Sequence, residues 1–385
     1  VLGYPHADAL PAGRSLTELG FDSLTAMQIR NRWSTALGIR LSAALVFEHR
    51  TTGELARHLL GRLSDTPAAA AAPEAAEAER PAYTLSSLFR SVSACGQPVA
   101  AMHLLVTASW ALPTFTAARG HEHAPPPIRR SHGRPGSGRP TVVYFPAYHP
   151  SLASGGGDFP RFHRAFHDDL DVLEFPHPGI GAGSAVPEDR AALACTQAEN
   201  VLAHTGDGPL VIVGRSAGGN VAHLVARRLE SMDRVPAGLV LLDTYHITPD
   251  DHGKDWLLSL AAPPPRDSGR PLFTGDDDSA LAAMGAYNRI FLGWHPEPVT
   301  TPTLLVRALR PTPAMAASAD ADDWRTSWPS AHDVLDVPGD HLTMMREHAQ
   351  STASAVRTWI EASSADRART HRAGRPDTAE QQDCP

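Results

Sequence analysis

Six short, largely apolar runs, at positions 141–145, 170–175, 209–213, 238–242, 303–307 and 334–337, punctuate the chain from residue 140 onwards. Between them apolar positions recur with a helical period, notably over 189–203, 217–229 and 344–360. Apolar strands alternating with helices predict a mostly parallel sheet buried on both faces, because the crossover helices must cover each side. An α/β fold is therefore expected over 140–363. Residues 245–294 are too many for a connecting loop and hold a helical pattern of their own around 278–291, which predicts a helical lid over one end of the sheet. Nearer the N-terminus, Leu85, Leu88, Phe89 and Val92 share one helix face, and after a break at Gly96 to Pro98 so do Met102, Leu105, Val106 and Trp110. Two short helices cannot bury such stripes alone, so the pair over 83–116 is expected to pack on a neighbouring domain or a second copy. Residues 1–64 predict a small all-α unit, with Ala26, Ile29, Trp33 and Leu37 in helical register. Segments 65–82, 117–139 and 364–385, rich in Ala, Pro, Gly or polar residues, are expected as a linker, a linker or loop, and a disordered tail.

Composition narrows the function classes. The 385 residues carry 34 Lys and Arg against 42 Asp and Glu, a net charge of −8, with no concentrated basic block. A nucleic-acid surface needs such a block to displace counterions, so none is expected. No run approaches the roughly 18 apolar residues of a membrane helix, and no signal-peptide layout opens the chain, which predicts a soluble, cytoplasmic protein. Cys95, Cys195 and Cys384 are three and widely spaced, which suits neither a disulfide framework nor a metal knuckle. The pair His121 and His123 falls in the Pro-rich segment, and no metal site is expected there.

Candidate chemistry centres on Gly214-Arg215-Ser216-Ala217-Gly218, a G-x-S-x-G motif between an expected strand and an expected helix. Such a turn forces the serine into a strained conformation at the carboxyl edge of the sheet, and the small flanking residues let it close. The Ala217 N–H, the first free donor of the helix, would face the oxygen of a bound carbonyl. A serine hydroxyl needs a base and an acid to orient that base. His341 follows the last strand in Pro338-Gly339-Asp340-His341 and would reach the same edge; Asp340 is expected to be structural, and His223 a packing residue. Asp243 ends the strand after the nucleophile helix, whereas the next strand is followed by no carboxylate until Asp320. Ser216, Asp243 and His341 thus form the expected nucleophile, acid and base. A second oxyanion donor is expected from Pro146-Ala147-Tyr148-His149, with Tyr148 preferred and Ala147 and His149 left open. Gly155 to Gly157 lack the features of a phosphate cradle, and Gly179, Gly181 and Gly183 lack the acidic partner of a dinucleotide fingerprint. A separate motif, Gly20-Phe21-Asp22-Ser23-Leu24, opens a helix with a serine, either as a simple cap or as a seat for a phosphodiester.

Together these residues resemble the terminal acyl carrier protein and thioesterase of a modular type I polyketide synthase. The resemblance rests on Leu19 to Leu24 followed by Ile29-Arg30-Asn31-Arg32 and Val46-Phe47-Glu48-His49, on Thr84 to Phe115, on Gly285-Ala286-Tyr287, on Pro302 to Val306, on Pro338 to Met344 and on the early Asp243. It implies an α/β-hydrolase thioesterase preceded by a dimerising helix pair and a carrier whose first helix is incomplete. It also implies 4′-phosphopantetheine on Ser23, placed there by a phosphopantetheinyl transferase. The implied partners are a polyketide acyl thioester, an upstream synthase module in the same polypeptide and a second copy of the chain. The expected reaction is chain release through an acyl-Ser216 ester, by macrolactonisation or alternatively by hydrolysis to a linear acid. A free-standing serine esterase and an inactive scaffold are the rival readings. Two departures stand out: Arg215 where the family usually has His, and Pro146-Ala147-Tyr148-His149 in place of a Gly-Thr-Ala type loop.

Overall fold

The computed structural model of the chain describes residues 54, 84–133, 138–148, 159–164, 170–180, 185–246, 278–316 and 324–373. The backbone divides into two compact units, Val1–Pro81 and Ala82–Pro385. Apart from Glu54 the first unit lies outside the described residues, and with it the expected carrier helices and Ser23. In the second unit, helices α1 (Leu85–Ala94) and α2 (Pro98–Ala108) precede strand β1 (Thr114–Phe115), helix α3 (Gly120–His123) and strands β2 (Ile128–Ser131) and β3 (Thr141–Phe145). Helix α4 (Phe159–Arg164), strands β4 (Val172–Glu174) and β5 (Val186–Pro187), helix α5 (Arg190–His204), strand β6 (Leu210–Arg215), helix α6 (Gly218–Glu230) and strand β7 (Gly238–Leu242) follow. Helix α7 (Asp278–Phe291), strand β8 (Thr303–Ala308), helix α8 (Pro313–Ala316), strand β9 (Asp333–Val337) and helix α9 (Ala349–Ala373) complete it.

Seven strands form one sheet in the order β2-β4-β3-β6-β7-β8-β9, parallel throughout except for β2, which runs antiparallel to β4. The alternation of side chains along each strand splits the core in two. Val142, Tyr144, Val211, Val213, Val240, Leu242, Leu304 and Val306 meet Phe162 of α4 and Ala353, Val356 and Ile360 of α9 on one face. Val143, Phe145, Ile212, Leu239, Leu241 and Leu305 meet α5 and α6 on the other, in a cluster that continues into Phe89, Leu105 and Tyr287. The expected parallel sheet is therefore present, with strand boundaries that match or differ by at most two residues.

Two features depart from expectation. Residues 117–139 are not a simple linker, for α3 and β2 lie within them, and β2 adds an edge strand held by the Arg130–Glu174 ion pair at 2.8 Å. Helix α9 runs to Ala373, into the expected tail, where Ala and Arg residues sustain helical propensity. The helix pair packs on the neighbouring part of its own chain, one of the two expected alternatives: a Cβ at Gly285 of α7 would overlap the Leu105 carbonyl of α2, so only glycine lets the two backbones approach this closely. The Asp278 carboxylate at the start of α7 accepts the Leu85 and Ser86 N–H groups at 3.1 and 2.8 Å and caps α1, alongside the local cap from Thr84. Of the expected lid, α7 is described and residues 247–277 lie outside the described residues. Among the described residues no helix is long and apolar enough to cross a membrane.

Candidate active site

Ser216 stands where β6 turns into α6, with φ of 51°, a left-handed conformation that a non-glycine residue adopts at a cost. Close packing holds it there. A Cβ at Gly214 would fall 2.5 Å from the Gly219 Cα, and one at Gly218 would overlap the Pro146 carbonyl oxygen. The Ser216 N–H donates to the Leu242 carbonyl at 2.8 Å, and the Ser216 carbonyl accepts from Gly219 N–H at 2.9 Å. Ala217 is the N-cap of α6 with no side chain to compete for the free N–H groups of the first turn. The serine side chain is half-buried at the carboxyl edge of the sheet.

Asp243 follows β7 with φ of 46°, its N–H donating to the Val306 carbonyl. Its carboxylate is 2% exposed and fully engaged: Oδ1 accepts Ala308 N–H at 3.1 Å and Oδ2 accepts the His341 Nδ1–H at 2.8 Å. Because a carboxylate only accepts, this contact assigns the proton to Nδ1 and leaves Nε2 of a neutral ring as the acceptor. His341, 4% exposed, sits in a turn built on Gly339 with φ of 96°, where Arg310 N–H donates to the Gly339 carbonyl. Asp340 accepts the Leu342 and Thr343 N–H groups at 2.9 and 2.8 Å, the structural part expected of it. Asp243 and His341 are thus brought together across 98 residues, whereas among the described residues no hydrogen bond joins His341 to the Ser216 hydroxyl.

Two contacts at this centre were not foreseen from the sequence. Arg215, 3% exposed, donates from Nη2 to the His341 backbone carbonyl at 2.8 Å, tying the end of β6 to the histidine turn. Tyr245 donates to Trp324 O at 3.1 Å and lies 3.4 Å from Asp243 Oδ2; burial and the neighbouring carboxylate raise its phenol well above its usual value, so it stays a donor. The only local signals were the charge beside the serine and the Asp-x-Tyr spacing. Tyr148, the preferred oxyanion residue, is buried and stacks on Tyr287 and Phe291 of α7 at 5.1 and 6.2 Å. Its neighbour His149 lies outside the described residues, as do Gly155 to Gly157, Gly181 and Gly183. His223 packs between Trp294 and Trp328 and bonds the Glu297 carbonyl at 2.8 Å, and His123 stacks on Phe115 at 4.6 Å.

The chain matches the family described as Thioesterase domain over residues 146–360, and the one described as Phosphopantetheine attachment site over residues 1–59. It is 38% identical to the spectinabilin polyketide synthase system protein NorC of Streptomyces orinoci, over 93% of this chain and 15% of that protein. To the erythronolide synthase EryA3 of Saccharopolyspora erythraea it is 35% identical over 94% of this chain and 11% of that protein. The chain therefore spans a small fraction of the length of these relatives. Among solved structures, the type II thioesterase YbtT from the yersiniabactin NRPS/PKS biosynthetic pathway is 19% identical, with a TM-score of 0.45, over 62% of this chain and 98% of that one.

Proposed function

The chain belongs to the thioesterase family, and from that premise we propose that it is the terminal carrier and chain-releasing thioesterase of a polyketide synthase, acting through Ser216, His341 and Asp243. The single observation that carries this reading is the buried Asp243–His341 hydrogen bond of 2.8 Å at the edge where Ser216 is held in a strained turn.

His341 Nε2 takes the proton of Ser216 Oγ as that oxygen attacks the carbonyl of an acyl thioester, and Asp243 holds the ring and stabilises the imidazolium that forms. The tetrahedral oxyanion accepts hydrogen bonds from the Ala217 N–H and, on this reading, the Tyr148 N–H. The C–S bond then breaks, His341 returns its proton to the departing thiolate, and an acyl-Ser216 ester remains. In the second half His341 deprotonates a hydroxyl of the acyl chain itself, which attacks the ester and leaves as a macrolactone with Ser216 restored. Attack by water on the same ester would instead give a linear acid, and the nature of the product separates the two outcomes.

The match over residues 1–59 means that the covalent cofactor of this segment is 4′-phosphopantetheine. A serine hydroxyl is the group a phosphodiester requires, so Ser23 would hold it after action of a phosphopantetheinyl transferase; the cofactor supplies a thiol that carries the acyl chain as a thioester. The upstream synthase module and a second copy of the chain complete the proposed partners.

The test uses the full chain with a long hydroxyacyl N-acetylcysteamine thioester. Turnover is expected in the wild type and lost in Ser216→Ala, with a cyclic product resolved by mass; turnover that survives in Ser216→Ala overturns the reading, and a linear acid alone favours hydrolysis. Fluorophosphonate labelling of Ser216 is expected to disappear in His341→Ala.

A further inference from the structure

One buried titratable side chain near the site has no part in the reaction as written. His177 lies in the loop after β4, is 3% exposed, and approaches the Pro146 carbonyl with Nε2 at 2.6 Å. A carbonyl can only accept, so Nε2 carries the proton. Nδ1 then holds a lone pair that is buried and, among the described residues, without a hydrogen-bond partner. Burial lowers the imidazole to about 4, so it stays neutral over the working range of an ordinary enzyme. A phenylalanine would fill this space without burying an unpaired nitrogen, so packing alone does not account for a histidine here.

We propose that His177 is a positioning residue for the oxyanion turn: its Nε2–H pins the Pro146 carbonyl, and the loop that carries it couples that turn to helix α7. The inference rests on the functional reading above, since it concerns the turn that holds the second oxyanion donor. A peptide unit is planar, so holding the Pro146 oxygen towards His177 fixes the Pro146–Ala147 plane and the direction in which the chain enters Tyr148. The same oxygen also abuts Gly218 at the start of α6, where a Cβ could not be accommodated. The carbonyl is therefore held between the nucleophile helix and the imidazole.

The loop bearing His177 is itself anchored from two helices. Gln197 of α5 donates to the Pro176 carbonyl at 2.9 Å, and the Tyr287 hydroxyl of α7 donates to the Pro178 carbonyl at 2.8 Å. The Tyr287 ring lies 5.4 Å from His177 and 5.1 Å from Tyr148. A shift of α7 would thus reach the oxyanion turn by two routes, through the stacked tyrosine and through the histidine's hydrogen bond. Oxyanion donors act only when correctly placed, and loss of one typically lowers turnover by about 10² to 10³; misplacement of the turn is expected to lower it by about 10-fold or more.

The experiment compares wild type, His177→Phe and His177→Gln in the full chain with a decanoyl N-acetylcysteamine thioester. The expected result is a fall in kcat of about 10-fold or more for His177→Phe, KM within about twofold, and recovery of most of kcat in His177→Gln, whose amide N–H can reach the carbonyl. Unchanged kcat in folded His177→Phe, or a glutamine no better than phenylalanine, overturns the inference. If His177→Phe does not fold, His177→Asn replaces it, its amide being too short to reach; equal kcat for Asn and Gln overturns the inference. A wild type inert to both the thioester and fluorophosphonate would instead defeat the thioesterase reading itself.

Discussion

At the scale of single residues, the site depends on backbone carbonyls held by distant side chains. Arg215 holds that of His341, and replacing it by methionine leaves a buried acceptor without this donor. Such a loss costs about 1–3 kcal/mol, so Arg215→Met is expected to lower the unfolding free energy by that amount in urea titrations and to slow thioester turnover. His177 gives the fold a pH dependence of definite sign. Its folded value is about 4 against an ordinary 6.5, so between these limits the unfolded chain binds a proton that the folded chain refuses. Stability therefore falls as pH drops from about 6.5 towards 4, by at most about 3 kcal/mol, and His223, also lowered by burial, acts in the same direction. Denaturant melts at pH 7.5 and 4.5 should differ less in His177→Phe than in the wild type. Ser216 and Asp243 could be singled out in the sequence as candidates because each directly follows a strand, and His341 because it lies in the Pro-Gly-Asp-His turn after the last one. Arg215 and His177 could not, because their acceptors lie 126 and 31 residues away and nothing local marks the pairing.

At the scale of elements, the buried parallel strands were readable because both faces demand apolar residues and leave continuous runs. Strand β2 was not. It is an edge strand whose Arg129 and Arg130 reach Asp171 and Glu174, so its sequence is polar and follows three prolines. Strands β1 and β5 pair over two residues each, too few for any period to show. The helix pair was readable as amphipathic, but its partner was not, since the glycine that admits α2 lies far along the chain in α7. Asp278→Ala removes the long-range cap on α1, leaving that of Thr84, and is expected to cost about 1 kcal/mol, seen as a fall of a few degrees in Tm. Gly285→Val should cost considerably more, because the added carbons meet the Leu105 backbone and not a yielding side chain.

At the scale of the whole molecule, the proposed function assigns separable chemistry to the two units. Ser23→Ala is expected to abolish the mass gain on incubation with a phosphopantetheinyl transferase and coenzyme A while leaving turnover of a soluble thioester unchanged, because a small thioester reaches Ser216 without the carrier. A mass gain that persists in Ser23→Ala would move the attachment to another residue. The bond between Asp278 and the first turn of α1 has a further consequence, because it spans 193 residues. During synthesis at about 5–20 residues per second, α1 and α2 leave the ribosome about 10–40 s before the segment that covers them. For that interval their oily stripes have no native seat, which makes this hairpin the part of the nascent chain most in need of a chaperone.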